Sequence, residues 1–511
     1  MIDWIAIDLG TCNSAVAIYG PLGPEVLKID GSELVPSAVM LVHTDNPENP
    51  WEVVVGQRAL RARERSPRSP YCFTSFKRQL GAVYNPEEAY PEQMCEGVDA
   101  EGKRTGMLAY QGYDGFTYPP EELVSYVLIH LREAAEEKLG KLVKNAIVCV
   151  PAAYNIAQSN ALRKAAEMAG FEEVELLHEP VAAAIAHGFK EEAEKVSRIF
   201  VVDVGAGTTD CAAFEIGGGL FRVLGTNGAA LVGGDDWDLR LRSLVMTLHE
   251  FEHENSALAT QPDAQRMLLI EAEAAKRRLS EDDLTEFRVE DIDIDKKTNE
   301  DVHVIQRISR DHMDEATKEL LRDIEDAMTR TMAEAKEKDP RFSVHDIDAV
   351  ILVGGQTRVK SIQRKVAHFF GKAPASGVDP ELAVVLGAAV KAGIREGRLA
   401  SITIENITSH GFSIETHDKP EDVATEIVRK GTAYGTKATW WLRPRGDAGQ
   451  SVMTLKLLQG DSKEPGENIL VWEHQIAIDA DAPEDVQLDV EIGPSGEPIL
   501  DVAGASFGRA A

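Results

Sequence analysis

The feature that most constrains the fold is a strand–turn–strand segment that occurs twice. The first copy, Ile5 to Ile18, carries Asp8-Leu9-Gly10-Thr11 at its turn, and the second, Val201 to Phe214, carries Asp203-Val204-Gly205-Ala206-Gly207-Thr208. In each copy an apolar strand ends in Asp, Gly and Thr follow, and a second apolar run begins. Helical patterns and a strand, Ala146 to Val150, lie between the copies. A duplicated α/β unit is therefore the simplest interpretation.

Both turns contain the residue types that bind a triphosphate. Glycine lets backbone N–H groups approach an anion closely and permits positive φ angles. Asp8 and Asp203, each at a strand end, can hold a Mg²⁺ ion that keeps several of its waters. One such hairpin alone is more often an ordinary strand ending at a glycine turn. Two copies with Asp, Gly and Thr in register predict ATP or ADP with Mg²⁺ bound between them.

Two further glycine pairs could contribute to the same site. Gly354-Gly355-Gln356-Thr357-Arg358 ends a buried strand, so a flat base or ribose could lie on its backbone and Arg358 could stack on an adenine. Gly233-Gly234-Asp235-Asp236 opens a helix, and a helix N-terminus favours anions. Taken alone, either segment is more often a plain connection into a helix.

Length, charge and cysteine content exclude several classes. A chain of 511 residues is too long for one core, so we expect two to four domains. The net charge of −31 argues against binding to nucleic acid or to anionic membranes. The five cysteines are scattered, which fits a reducing compartment and excludes a clustered zinc site. With no apolar run of about 18 residues, we expect a cytoplasmic protein.

The character of the chain changes near Gly397. Before it, helical spacing predicts helices over Ala264–Leu279, Asp311–Lys338 and Glu381–Gly393, with a strand at Ala349–Val353. After it, short alternating runs are separated by Gly, Pro and Asp, which predicts a β-sandwich. Two of these runs are Ser451 to Leu457 and Val486 to Ile492. No helical segment is expected after the sandwich.

Several of these segments together resemble the DnaK-type heat-shock protein 70 chaperones, members of the actin, hexokinase and heat-shock ATPase superfamily. The resemblance runs from about Ile5 to Gly397 and more weakly to about Ser506. It is carried by Ile7 to Ser14, Phe76 to Gly81, Val150 to Asn155, His178 to Ala184, Thr226 to Asp238 and Ile351 to Arg358. Sugar kinases of the superfamily share only the hairpins.

The resemblance implies a fold and its domains. It implies an α/β, duplicated actin-like (ribonuclease H-like) ATPase domain over residues 1–398, with two lobes around a nucleotide cleft. Lobe I would span about 1–198, lobe II about 199–376, and a helix within 377–398 would return to lobe I. A linker over 399–406 would lead to a β-sandwich substrate-binding domain over 407–511 without a helical lid.

The resemblance also implies roles for individual residues. Lys77 would contact the γ-phosphate and the attacking water, Glu179 would orient that water, and Asp203 and Thr208 would complete the catalytic set. Asp8 and Asp203 would hold Mg²⁺ through water, Asp210 would help to bind K⁺, and Pro151 would couple the nucleotide to the sandwich. The nucleotide contacts would be Gly10, Thr11, Cys12, Asn13, Gly205, Ala206, Gly207, Thr208, Gly233, Gly234, Asp235, Glu273, Lys276, Arg277, Ser280, Gly354, Gly355, Gln356, Arg358 and Glu381.

The chain departs from the family pattern at several positions. Cys12 replaces a threonine, which exchanges a good hydrogen-bond donor for a weak one. Ala206 replaces a glycine of the second turn. Both changes lead us to expect slow hydrolysis with nucleotide binding retained. The linker, read as Ile402 to Asn406, keeps two apolar residues but has an altered charge pattern.

Two functions remain open at this point. One is a lidless, ATP-driven chaperone that hydrolyses ATP to ADP and phosphate, binds peptide or protein clients and works with co-chaperones. The other is a nucleotide-regulated scaffold or accessory subunit that docks one dedicated protein, with slow or absent hydrolysis. The absent lid and the altered linker favour a specialised role. A small-molecule kinase is disfavoured by the sandwich and by the segments around Lys77 and Glu179.

Overall fold

The fold is described from a computed structural model of the protein. The described residues are 3–44, 46, 50–88, 90–188, 196–252, 258–294, 301–377, 379–399, 403–418, 421–443, 452–477, 485–493, 496–502 and 505–507. All the candidate site residues lie within these ranges. Part of the expected linker, 400–402, and Ser451 at the start of one expected strand lie outside them.

The first part of the chain forms lobe I, built on one mixed sheet with smaller sheets beside it. Its main sheet has the order β12-β11-β1-β2-β3, with β4 paired to β2. The strands are β1 (Trp4–Leu9), β2 (Asn13–Gly20), β3 (Gly23–Val26), β4 (Val35–Pro36), β5 (Val39–His43), β6 (Trp51–Val55), β7 (Cys72–Phe73), β8 (Met94–Val98), β9 (Arg104–Gln111), β10 (Thr117–Tyr118), β11 (Asn145–Val150) and β12 (Glu173–His178). The helices are α1 (Gln57–Arg65), α2 (Pro120–Leu139), α3 (Ile156–Met168) and α4 (Glu179–Gly188).

The second part forms lobe II on a similar plan. Its sheet has the order β18-β13-β14-β15, and a hairpin of β16 and β17 stands beside it. The strands are β13 (Ser197–Val204), β14 (Thr208–Gly217), β15 (Leu220–Ala230), β16 (Leu284–Ile294), β17 (Asp301–Ser309) and β18 (Ala349–Val353). The helices are α5 (Gly234–Glu252), α6 (Pro262–Glu281), α7 (Arg310–Ala316), α8 (Lys318–Lys338) and α9 (Lys360–Phe370).

The two lobes repeat the same strand pattern, which confirms the predicted duplication. β1 pairs antiparallel with β2 and parallel with β11, while β13 pairs antiparallel with β14 and parallel with β18. The register sets Asp8 opposite Ala15 and Asp203 opposite Asp210. Asp8 and Asp203 therefore take equivalent places, each one residue before the end of an inner strand of its sheet.

Two helices made largely of small residues join the lobes. Helix α10 (Ala383–Arg395) packs against α4 and against β1, β2 and β11, so it returns to the sheet of lobe I. Gly387 permits the close approach, because a Cβ added there would lie 1.7 Å from the carbonyl oxygen of Ala182. The core around both helices also includes Val201 of lobe II, so these helices bury residues from both sheets.

The expected helices are present, with one correction. The pattern over Asp311–Lys338 predicts one long helix, but the structure divides it at Thr317 into α7 and α8. Thr317 leaves the helical region at φ −110° and ψ 9°, and its side chain bonds the carbonyl of Met313. A threonine that bonds back to the preceding turn competes with regular helix, which explains the division. Among the described helices, none is long and apolar enough to cross a membrane.

The C-terminal part is a β-sandwich, as predicted. One sheet has the order β21-β20-β23-β24 and the other β22-β25-β26-β27. Their inner faces share one core, in which Phe412, Leu457, Leu488 and Leu500 are buried. The strands are β20 (Phe412–Asp418), β21 (Glu421–Val428), β22 (Lys437–Leu442), β23 (Val452–Gln459), β24 (Ile469–Ala477), β25 (Val486–Ile492), β26 (Pro498–Val502) and β27 (Ala505–Phe507).

The segment expected to be the linker adds a strand to lobe II. Strand β19 (Thr403–Glu405) pairs parallel with β15, with Ile404 opposite Phe221. Glu405 also forms an ion pair with Arg222 at 2.9 Å. The connection to the sandwich is thus held on the edge of the lobe II sheet. The domain boundaries themselves stay predictions.

Candidate nucleotide-binding site

A cavity of about 550 Å³ lies between the two Asp-Gly-Thr hairpins. We name these hairpin 1 (β1 and β2 with the turn Gly10–Cys12) and hairpin 2 (β13 and β14 with the turn Gly205–Gly207). The cavity is lined by these predicted site residues: Asp8, Gly10, Thr11, Cys12, Asn13, Lys77, Glu179, Asp203, Gly205, Ala206, Gly207, Thr208, Gly234, Glu273, Lys276, Arg277, Ser280, Gly354, Gly355, Gln356, Arg358 and Glu381. Residues far apart in the sequence are thus brought to one cleft.

Glycine is required where the backbone turns most tightly. A Cβ added to Gly10 would lie 2.0 Å from the carbonyl oxygen of Asn13, which no side chain tolerates. Gly354 has φ +82°, and its added Cβ would lie 2.3 Å from the carbonyl oxygen of Val204. The third glycine loop is therefore pressed against the end of β13 beside Asp203. This close packing explains how three separate loops converge on one cavity.

Lys77 and Glu179 form a buried ion pair at the wall of the cavity. Lys77 lies in a 3-10 turn, Phe76–Gln79, and Glu179 is the first residue of α4, directly after β12. The Nζ of Lys77 donates to Oε1 of Glu179 at 2.8 Å, and the side chains are 5% and 11% exposed. Burial alone would lower the pKa of Lys77, but the facing carboxylate outweighs it and raises that pKa. The lysine is therefore a fixed cation at the cavity wall.

Three aspartates near this pair carry raised pKa values. Burial, together with the charge of Glu179, raises the pKa of Asp8 to about 7 and that of Asp210 to about 7. The same two causes raise the pKa of Asp203 well above its usual range. One buried lysine lies near three buried carboxyl groups, those of Glu179, Asp203 and Asp210, and near the half-buried Asp8, so the site has a deficit of positive charge.

A hydrated Mg²⁺ would supply the positive charge that the site lacks. Asp8 and Asp203 both line the cavity from opposite lobes, and carboxylate oxygens are the ligands that Mg²⁺ prefers. Within the described ranges, no group of three or more His, Cys, Asp or Glu side chains is placed to hold a metal ion directly. Mg²⁺ usually takes one or two protein carboxylates with waters and substrate phosphates, which matches a site of this kind.

Helix α6 contributes four of the predicted residues to the cavity lining. Glu273, Lys276, Arg277 and Ser280 all line the cavity, as the resemblance implies. Lys276 is buried and bonds Asp238 at 2.9 Å and the carbonyl of Gly234 at 2.8 Å. Its ammonium group thus ties α6 to the start of α5.

The Gly354–Arg358 loop also lines the cavity, with Gln356 and Lys276 both close to Gly234. The Nε2 atom of Gln356 is buried without a protein partner among the described residues. A buried N–H donor without a hydrogen-bond acceptor destabilises the folded protein, and a bound ligand could supply that acceptor. Arg358 bonds Glu381 at 2.8 Å and Asp379 at 3.2 Å, so its planar group is held at the cavity by two carboxylates. Stacking of Arg358 on an adenine stays a prediction.

Three predicted residues stand outside the cavity lining. Asp210 accepts a hydrogen bond from the backbone N–H of Ala153 at 3.0 Å. Asp235 is bonded to side chains of lobe I, and Gly233 donates to Asp236 at 2.9 Å. All three are thus engaged in hydrogen bonds within the protein and do not belong to the cavity lining.

The sequence reasoning missed several lining residues. They are mostly apolar or long-chained and come from several elements of both lobes: Leu34, Glu281, Val353, Val359, Lys360, Gln363, Pro380 and Val384. Val359, Lys360 and Gln363 follow the glycine loop within the first turns of α9, and Pro380 precedes Glu381. These residues could have been predicted because they directly follow or precede predicted site segments. Leu34 carried no such signal.

Two lobes with duplicated hairpins around one cleft, joined to a β-sandwich, define an actin-like ATPase fold with an appended sandwich. Comparison with known families agrees. The sequence matches the model of the Hsp70 protein family over residues 4–506. The chain therefore belongs to the Hsp70 family. Membership supports a chaperone-like, ATP-binding function, since members of the family are generally ATPases that bind client proteins.

Proposed function

We propose that this protein binds ATP and ADP with Mg²⁺ in the cleft between its lobes, hydrolyses ATP slowly, and uses its β-sandwich to bind peptide or unfolded protein. The observation that carries the proposal is the buried Lys77–Glu179 pair on the wall of a cavity framed by both hairpins. The residues implied as catalytic thus share one cavity with those implied as phosphate-binding.

The hairpins would grip the phosphates from both sides. Gly10 and Thr11 would meet them from lobe I, and Gly205 to Thr208 from lobe II, through backbone N–H groups and threonine hydroxyls. The base and ribose would lie toward α6 and the Gly354–Arg358 loop. Mg²⁺ bound through Asp8 and Asp203 would neutralise phosphate charge and orient the terminal phosphate.

Hydrolysis needs positioning and charge compensation more than covalent chemistry. The Lys77 ammonium is held 2.8 Å from Glu179, so one group can face the γ-phosphate while the other orients an attacking water. Cys12 is a weak donor at a position where the family has a hydroxyl, which supports a slow rate. Burial, reinforced by the charge of Asp235, raises the pKa of this thiol, so Cys12 stays neutral in the cleft.

The loop after β11 supports control of the sandwich by nucleotide. The Ala153 N–H donates to Asp210 at the nucleotide end, while the Ala153 carbonyl lies 3.1 Å from Nε2 of His410 in the sandwich. The N–H of Ile156 donates to Oε1 of Gln459, also in the sandwich, at 3.0 Å. A shift of this loop on nucleotide exchange would reach the sandwich directly.

Exposed apolar side chains support peptide binding by the sandwich. Trp441 on β22 is 65% exposed, and Ile469 and Leu470 on β24 are about half exposed. Both strands lie at the edge of their sheets, where unpaired backbone groups can bond an extended chain. An extended segment with bulky apolar residues fits this chemistry.

The catalytic part of the proposal is tested with Lys77→Ala. We expect nucleotide binding to persist in titration calorimetry and steady-state turnover to fall at least about a hundredfold, because the fixed cation at the γ-phosphate is lost. Lys365→Ala is the matched control, since Lys365 pairs with Glu325 on lobe II away from the cavity. Turnover by Lys77→Ala at the wild-type rate would show that the catalytic assignment is wrong.

The client part of the proposal needs a separate experiment. Extended apolar peptides should stimulate turnover and should compete with native proteins for the sandwich. No response to any peptide in a library, together with capture of one stoichiometric native partner, would reject the chaperone function. That outcome would support a dedicated scaffold or accessory subunit instead.

A further inference from the structure

Arg78 crosses the cleft from lobe I to lobe II. It follows Lys77 in the 3-10 turn Phe76–Gln79, and its guanidinium reaches two carboxylates at the start of α5. Its Nη1 lies 3.4 Å from Oδ2 of Asp235, and its Nη2 lies 3.2 Å from Oδ1 of Asp236. The Arg78 side chain is only 11% exposed, so this is a largely buried charge pair between the lobes.

A second contact joins the lobes at the same carboxylate. The Sγ of Cys12, on hairpin 1, donates to Oδ1 of Asp235 at 3.7 Å. Asp235 therefore receives hydrogen bonds from two residues of lobe I, one on each oxygen.

The start of α5 is itself bonded to hairpin 2. The N–H of Gly234 donates to the carbonyl of Gly205 at 3.0 Å, and the N–H of Asp235 donates to the carbonyl of Ala206 at 2.9 Å. A displacement of Asp235 would therefore move the turn of hairpin 2 that is proposed to hold the phosphates.

Packing at Gly207 makes the contact between the lobes tight. A Cβ added to Gly207 would lie 2.8 Å from Cγ of Arg78 and 2.8 Å from Oγ1 of Thr11. Hairpin 1, the stem of Arg78 and hairpin 2 thus meet with no room for a methyl group. Hairpin 2 and the start of α5 therefore cannot move away from lobe I without withdrawing Arg78 from Asp235 and Asp236.

We propose that Arg78 is a positioning residue that latches hairpin 2 onto lobe I and thereby limits the rate at which nucleotide leaves the cleft. A nucleotide held by both hairpins would lose half of its phosphate contacts when they part, and parting also breaks a largely buried charge pair. Another pair across the cleft, Arg266 with Glu92, has its glutamate 62% exposed, and such surface pairs contribute little. The inference rests on the proposed nucleotide site and deepens it.

The test measures nucleotide release from the full-length protein. Protein loaded with a fluorescent ADP analogue and Mg²⁺ is chased with excess ADP in a stopped-flow instrument, and association is measured in parallel. Arg78→Ala should release the analogue at least about tenfold faster, with association nearly unchanged, because loss of one partner of a buried pair acts on dissociation. Arg78→Lys should fall between it and the wild type, since an ammonium cannot bond both carboxylates in the same fork geometry.

Two further variants sharpen the test. Cys12→Ser should slow release, because a hydroxyl is a better donor to Asp235 than a thiol. Arg240→Ala is the matched control: Arg240 lies on the same helix α5, but its pair with Glu319 is exposed and within lobe II. Its release rate should equal that of the wild type.

The outcomes separate this inference from the proposed function. If the wild-type protein binds no adenine nucleotide in calorimetry, the proposed function fails. If it binds and both Arg78 variants release the analogue at the wild-type rate, the latch is refuted while the nucleotide site stands. If Arg78→Ala does not fold, the test rests on Arg78→Lys alone. Release of the analogue from that variant at the wild-type rate would refute the latch.

Discussion

Replacing Asp8 by asparagine should stabilise the metal-free protein, and more so at high pH than at low pH. Asp8 is half-buried near Glu179, and desolvation together with that charge raises its pKa to about 7. Without a cation, the folded protein must either carry a buried charge or take up a proton. Asparagine has nearly the same shape and needs neither.

The size of the effect follows from linkage. Because the folded pKa of Asp8 lies above the unfolded value of 3.8, the protonated folded form is favoured, and stability is lost as pH rises toward about 7. The full shift of about 3 units corresponds to about 4 kcal/mol at 1.36 kcal/mol per unit. At pH 5.5 only about 2 kcal/mol of this free energy of unfolding has been lost. The gain from Asp8→Asn should therefore be about 2 kcal/mol larger at pH 8 than at pH 5.5.

The assay is urea unfolding of wild type and Asp8→Asn in EDTA at both pH values. Comparing the two proteins at each pH cancels the titration of groups that do not interact with Asp8, among them His178, whose burial lowers its pKa to about 4. Asp323→Asn, an exposed position on α8, serves as the control for loss of a carboxylate. With saturating Mg²⁺ and ADP the advantage of Asp8→Asn should vanish or reverse. An equal or absent gain at both pH values in EDTA would refute the reasoning.

Two other predictions follow from the geometry. Asp203→Asn should weaken nucleotide binding about tenfold or more in Mg²⁺ and much less in EDTA, as measured by titration calorimetry; equal losses in both buffers would exclude a metal role for Asp203. Gly387→Ala should lower the free energy of unfolding by about 3 kcal/mol or more, because its methyl group would lie 1.7 Å from the carbonyl of Ala182. Gly466→Ala, whose methyl would meet nothing within 4 Å, should leave the unfolding midpoint unchanged. Unaltered stability of Gly387→Ala would mean that α4 and α10 do not pack as described.

Most secondary structure was predictable where one pattern dominates. The strand Ala349–Val353 and the strand Val486–Ile492 have the expected bounds, because apolar runs flanked by polar or glycine turns leave one choice. The division of the Asp311–Lys338 helix was not predictable, since the apolar spacing continues through Thr317 and only its side-chain bond marks the break.

The site was predictable in its parts and less so in its arrangement. The hairpin turns, Lys77 and Glu179 were all singled out and all line the cavity. Gly233 and Asp235, expected at the nucleotide, and Asp210, expected to help bind K⁺, do not belong to the cavity lining. A sequence pattern shows that a polar residue follows a strand, whereas its direction depends on what the neighbouring lobe presents. Asp235 turns toward Arg78 and Cys12 because both reach it across the cleft.

The sequence by itself therefore determined the duplication, the order of the elements, the change to a sandwich and the membership of the Hsp70 family. These follow from local periodicity and from residue types at fixed spacing, which are properties of short segments. Only the tertiary structure decided which charges meet. Lys77 and Glu179 are 102 positions apart in the sequence, and Arg78 and Asp235 are 157 apart. Strands β15 and β19 pair although most of the lobe II sequence lies between them. Such pairings depend on how the sheets and helices pack, and no local pattern encodes that packing.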